Sequence, residues 1–223
     1  MRFALTADHK EFFNKKGYIE FQEMLSAPQV AALTLNADET LAKRLRLPVS
    51  RLKEQSSAAL FQAGYDLWRD NEAIKATVHK NNFALLASQL FQTPAIRCGF
   101  DQYIVTAKGT AAPFSQPFAL QETSCISPLA GALLLPLNDL TEPLPFFPMP
   151  LKAGSGLFLS PLTPIPWAEL FATPALRFLI IGYAMKKALF CADTRDPHAG
   201  NLKLLGYIFN EQLNNTLHPL LLR

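Results

Sequence analysis

Histidine is missing from more than half of this chain. The four present are His9, His79, His198 and His218, so none lies between residues 80 and 197. No two of them are three or four residues apart, which excludes a metal site of the paired-histidine helical kind. Each reads as a surface or capping residue. Cysteine is also scarce: Cys98, Cys125 and Cys191 are odd in number, far apart and outside any CxxC spacing. That excludes a disulfide framework and a zinc knuckle, and suits reduced, mostly buried thiols in a cytoplasmic protein. No GxSxG elbow, P-loop or GxGxxG fingerprint occurs, and "GSG" at 154–156 reads as a tight turn before a strand. The apolar runs "LAGALLLPL" and "FLIIGYAM" fall well short of the roughly 20 residues that span a bilayer. "MRFALTADHK" meets Asp8 and His9 before any signal-length apolar segment. A membrane partner is not expected, and the expected location is the cytoplasm. A net charge of +3 is too small to suggest a nucleic-acid partner. The one basic cluster, "KRLRLPVSRLK" at 43–53, reads as a solvated helix end and linker.

What the sequence does contain is a core. With 49% hydrophobic residues and 17% charged, 223 residues can bury a sizeable interior. Twelve of the 17 prolines fall between Pro113 and Pro174, so that stretch is expected to be short strands and loops while its flanks are helical. Thr6 can cap a short helix that presents Phe12 and Phe13 and stops at Gly17. "YIEF" at 18–21 then alternates like a strand. Ser26 and Gln29 have the spacing of a capping box, followed by Val30, Leu33, Ala37 and Leu41 at helical intervals. A helical block runs from about Glu72 to Phe91, with a break near Asn81 and Asn82. From Ala95 the period becomes two, placing Ile96, Cys98 and Phe100 on one face of a strand. "GALLLPLND" and "LRFLIIGYAM" read as buried strands. Asp196, with Pro197 or Asn201, can open a last helix carrying Leu204, Leu205, Ile208, Phe209 and Leu213. The order predicts one α+β domain: a mainly helical part over 1–94, an all-β core over 95–190 and a helical segment over 191–223.

The order of these segments resembles the phytanoyl-CoA dioxygenase family. The likeness begins in "LTADHKEFFNKKGYIEFQEMLSAPQVAALTLNADETL" and continues in "LASQLFQTPAIRCGFDQYIVTAKG". It returns in "GALLLPLND", "PLKAGSGLFLSPLTP" and "ALRFLIIGYAM". The resemblance implies a double-stranded β-helix, the jelly-roll, cupin-like core of Fe(II) and 2-oxoglutarate-dependent oxygenases. Such enzymes hold ferrous iron with two histidines and a carboxylate, leaving positions open for co-substrate and oxygen. A deeper arginine pairs with the far carboxylate of 2-oxoglutarate. The family writes its ligands as His-x-Asp on an early strand, with a second histidine shortly before the arginine.

Aligned on that pattern, the His-x-Asp positions fall on Gln116, Pro117 and Phe118, with a shift toward Gln121 and Glu122 as the alternative. The distal histidine falls at Pro164, Ile165 or Pro166. None is a histidine. Arg177 stands where the co-substrate arginine stands, and Lys108 where some members place another basic contact; an ion pair or strand-end charge is the competing reading of Arg177. The expectation is a catalytically inactive relative, with no iron, no required cofactor and 2-oxoglutarate as the one candidate co-ligand. Its core would serve as a scaffold for a protein or a small carboxylate. The alternatives are an active enzyme whose pocket was recruited for other chemistry through Glu122, Cys125 or Arg177, and a 2-oxo acid binder through Arg177 alone. "PLPFFPMPL" at 143–151 reads as core or lid packing rather than a partner patch.

Overall fold

The computed structural model describes residues 5–106, 112–192 and 195–222. The first helix, α1 (Ala7–Lys16), is capped reciprocally: Thr6 Oγ1 accepts from the His9 amide and His9 Nδ1 accepts from the Thr6 amide. Gly17, at φ 77°, stops it in the left-handed conformation that glycine adopts without strain. Strand β1 (Tyr18–Phe21) follows, then α2 (Ala27–Leu45), whose Ser26 amide donates to Gln29 Oε1 at 3.0 Å. Its buried stripe is Val30, Leu33, Ala37 and Leu41, as the periodicity predicts. A short α3 (Ser57–Ala63) leads to α4 (Glu72–Val78) and α5 (Asn81–Leu90), which break just ahead of Asn81.

The remaining elements are β2 (Ile96–Val105), β3 (Phe118–Ala119), β4 (Ile126–Pro136), β5 (Gly156–Leu159), β6 (Pro164–Ile165), α6 (Trp167–Ala172), β7 (Arg177–Phe190) and α7 (Ala199–Leu204). An antiparallel five-stranded sheet runs β1-β5-β4-β7-β2, and β3 pairs with β6 in a separate two-stranded sheet. β1 belongs to the part read as helical, so the N-terminal segment contributes an edge of the central sheet. No helix among the described residues is long and apolar enough to cross a membrane.

Alternation divides the large sheet into two faces. Leu133, Leu135, Phe158, Leu179, Ile181 and Tyr183 join the cluster that includes the apolar stripe of α2 and the buried side of α5. Ala132, Leu134, Leu157, Leu159, Phe178 and Ile180 point the other way, to a second cluster closed by Ile165, Trp167 and Phe171. Phe147 and Met149 join this inner cluster while Phe146 is exposed, in keeping with the packing role read for that segment. The face shared by Ile96, Cys98 and Phe100 needs correction. Ile96 and Cys98 lie in the helix-side cluster, and Phe100 in the inner one. The register against β7 slips between Cys98 and Phe100, and this bulge reverses the parity. The Phe100 ring then lies over Gly182, where an added Cβ would stand 2.4 Å from it.

The last helix is also shorter than its periodicity suggests. α7 ends at Leu204, followed by Gly206 at φ 94°, and Leu204 and Ile208 are 88% and 72% exposed. Beyond it the chain returns to the sheet, with the Leu213 amide donating to Ala188 O and the Leu221 amide to Ile96 O. Arg97, 3% exposed, secures this return by donating to the carbonyls of Lys186, Asn214 and His218. Arg97→Leu removes all of these donations at once, and a loss of about 3–5 kcal/mol is expected in urea denaturation.

Candidate functional site

The residues singled out in the sequence do not converge. Phe118 and Pro164 do lie on adjacent strands, with Phe118 opposite Ile165 and Ala119 opposite Pro164. Gln116 and Pro164 are solvent-exposed, whereas Pro166 is buried. Around Phe118 the packing is aromatic. Its ring meets Phe114 edge-on at 5.8 Å, Phe114 meets Trp167 at 5.6 Å, and Trp167 Nε1 donates to Phe118 O at 3.3 Å.

Arg177 opens β7 on the same face as Leu179 and Ile181, which places it on the helix side rather than in the inner cluster. There Nη1 donates to Asp38 Oδ2 of α2 at 2.5 Å, and Asp38 Oδ1 accepts from Tyr103 Oη at 2.8 Å. The ion-pair reading of Arg177 is therefore the one that matches the geometry. Lys108 lies outside the described residues.

The residues offered for recruited chemistry are likewise separate. Glu122 is exposed, accepts from the Ala119 amide and stands 4.0 Å from Arg195. Cys125 is fully buried, and burial followed by the Asp196 charge pushes its thiol far up, away from the thiolate a nucleophile needs. In the basic segment, Arg44 is structural. It pairs with Asp70 and donates to the carbonyls of Ala63, Tyr65 and Asp66, fixing the loop after α3.

That loop builds the cavity the sequence did not announce. Tyr65 bridges to Gln102 on the free edge of β2, and the Tyr103 amide donates to Gly64 O. From the far end of the chain, Asp196 docks on the start of β4, accepting from the Cys125 amide at 2.6 Å and the His198 amide at 2.7 Å. The two attachments carry His198 inward. Its ring stacks on Tyr65 at 4.1 Å and on Phe61 at 5.1 Å, and Tyr65 stacks in turn on Phe100. The resulting cavity holds about 30 Å³, enough for a water molecule or two, within 390 Å³ of unfilled space running out toward solvent. Its walls are mostly apolar and rich in aromatic rings, with Gln102, Thr123, Ser124, Asp196 and His198 as the polar lining.

His198 does stand at the N-cap of α7, though its side chain makes no capping bond, and exposures of 4% and 0% correct the surface reading of His198 and His218. Composition could not reveal this, because each is buried by a segment that reads as helix or tail. His218 bridges Arg69 and Tyr207 at 3.1 and 2.9 Å. Among the described residues, by contrast, neither ring nitrogen of His198 has a hydrogen-bond partner, and neither does Gln102 Oε1.

Both imidazoles are held neutral. Burial lowers His198 to about 3, and burial followed by Arg69 and Arg97 lowers His218 to about 3. In the unfolded chain each would titrate near 6.5, so their contribution to stability is complete above about pH 6.5 and is lost as the pH falls toward 3. Asp101 runs in the opposite sense. Burial and the neighbouring Asp66 raise it to about 8, so its contribution is complete below about pH 4 and is lost as the pH rises through 8. The difference between wild type and His198→Phe isolates one group. Between pH 7 and pH 5 the variant should lose about 2 kcal/mol less stability than wild type in urea denaturation.

No family model and no curated protein matches the sequence. Similarity appears in three dimensions. SnoN, a non-heme alpha ketoglutarate dependent epimerase from nogalamycin biosynthesis, superposes with a TM-score of 0.71 at 17% identity, over 96% of this chain and 97% of SnoN. SnoK, the carbocyclase of the same biosynthesis, gives 0.70 at 14% identity over 97% and 96%. HygX from Streptomyces hygroscopicus, solved with nickel and 2-oxoglutarate bound, gives 0.55 at 14% identity over 94% and 98%. The chain has the fold of the non-heme, alpha ketoglutarate-dependent enzymes.

Proposed function

We propose that this protein is a relative of the phytanoyl-CoA dioxygenase family, with a double-stranded β-helix core, that has given up iron chemistry and acts as a non-catalytic binding scaffold in the cytoplasm. The observation that carries the reading is the paired β3 and β6. These are the segments where the resemblance puts the iron ligands, and they present Phe118, Ala119, Pro164 and Ile165 to one another. None of these four side chains donates to a metal.

The residues present do not fit an iron and 2-oxoglutarate site. Among the described residues, no group of three or more His, Cys, Asp or Glu side chains is arranged to hold a metal ion. A ferrous centre of the facial type needs three such donors on one side. The cationic partner for 2-oxoglutarate is also misplaced, since Arg177 is committed to Asp38 across the sheet from the cavity. A carboxylate ligand held by Arg177 would have to displace that partner. The scaffold reading accounts for an intact fold with an inner face devoted to packing and to one small cavity.

Two outcomes are expected. Aerobic incubation with ferrous iron, 2-oxoglutarate and ascorbate should release no succinate above a protein-free control; succinate formed in proportion to protein would refute the reading. Millimolar 2-oxoglutarate should leave the melting temperature unchanged. Arg177→Ala should instead cost about 1–3 kcal/mol of stability, because it removes the cation from the mostly buried Asp38 carboxylate and leaves it only Tyr103 Oη.

A further inference from the structure

We infer that the cavity between β2, the loop after α3 and the Asp196 to His198 segment is a binding site for a small uncharged molecule that presents a hydroxyl on a flat apolar body. The inference rests on the scaffold reading only in taking the cavity as a place for binding. Three observations lead to it.

Buried polar atoms in folded proteins are nearly always hydrogen-bonded, so two unpartnered groups on one cavity call for an explanation. Of the described residues with such atoms, Gln102 and His198 alone line this space. Neither side chain is free to turn away. Gln102 Nε2 is fixed by donations to Phe61 O at 2.9 Å and Tyr103 O at 3.1 Å, which leaves Oε1 as an acceptor with nothing to accept. His198 is fixed by ring stacking and by its own amide on Asp196.

The donor and acceptor inventory then selects the ligand. Gln102 Oε1 can only accept, so the ligand must donate. A neutral imidazole offers one donor and one acceptor, and a hydroxyl that donates to Gln102 Oε1 can accept from the imidazole N–H. Charge is selected as well. No Lys or Arg lines the cavity among the described residues to pair with an anion such as 2-oxoglutarate. The Asp196 carboxylate already receives two backbone amides, which weakens its pull on a cation.

Shape follows from the walls. Phe61, Phe114 and Trp167 are rings that favour a planar partner. The cavity's 30 Å³ admits a hydroxyl, and the ring of the ligand would lie against these side chains on the side that opens toward solvent.

Phenol is the probe, with benzoate and benzylamine as its anionic and cationic counterparts and toluene as the form without a hydroxyl. The titration is run on the full chain by NMR with a chelator present, so its outcome does not depend on whether the protein can hold iron. Phenol should bind saturably at millimolar concentration, with the other three at least about tenfold weaker. Gln102→Leu and His198→Phe should each weaken phenol about tenfold. His198→Phe should be no less stable than wild type at neutral pH, because it replaces unpaired polar atoms with an apolar ring. A crystal grown in phenol should place its oxygen within hydrogen-bonding distance of Gln102 Oε1. Ordered water alone at both atoms, tighter binding of benzoate or benzylamine, or undiminished phenol binding by both variants would overturn the inference.

Discussion

Which way a side chain points from the central sheet decides everything else about this molecule. Successive residues of a strand face opposite sides, so one step along β7 separates Arg177, on the helix side with Asp38, from Phe178, in the inner cluster. No rearrangement short of a register slip would exchange them, and a slip would carry Leu179, Ile181 and Tyr183 out of the helix-side core as well. The helices α2 and α5 thus fix the sheet's register from outside. That register determines which groups the cavity can use.

Local signals were the most legible part of the sequence. Reciprocal capping at Thr6, the Ser26–Gln29 contact, the left-handed stop at Gly17 and the stripe on α2 depend on residues a few positions apart, and neighbouring residue types specify them. The long apolar strands were visible for the same reason. The bulge between Cys98 and Phe100 was not, because it is defined by the partner strand: Phe100 crosses to the inner face where Gly182 leaves room for its ring. Periodicity also overstated α7. Leu204 and Ile208 have helical spacing, yet Arg97 draws the following chain back to β2 and β7 through backbone carbonyls, an interaction without sequence signature.

The candidate site was legible only in what it lacks. The absence of histidine from 80 to 197 and the prolines near Trp167 pointed away from iron, and the pairing of β3 with β6 puts those positions side by side. His198 escaped notice because its neighbours in space, Phe61 and Tyr65, are more than 130 residues away in the chain. A ring buried with both nitrogens unpaired lowers stability relative to an apolar replacement. Together with the unpartnered Gln102 Oε1 on the same cavity, that cost is the ground on which a binding site is proposed there.

The central proposal is that this fold does not hold iron. Anaerobic equilibrium dialysis of the full chain against ferrous iron and 2-oxoglutarate, followed by metal analysis of the protein compartment, tests it most directly. The account predicts iron equal to that of the buffer on the other side of the membrane. One retained iron per chain, released when 2-oxoglutarate is withdrawn, would contradict it.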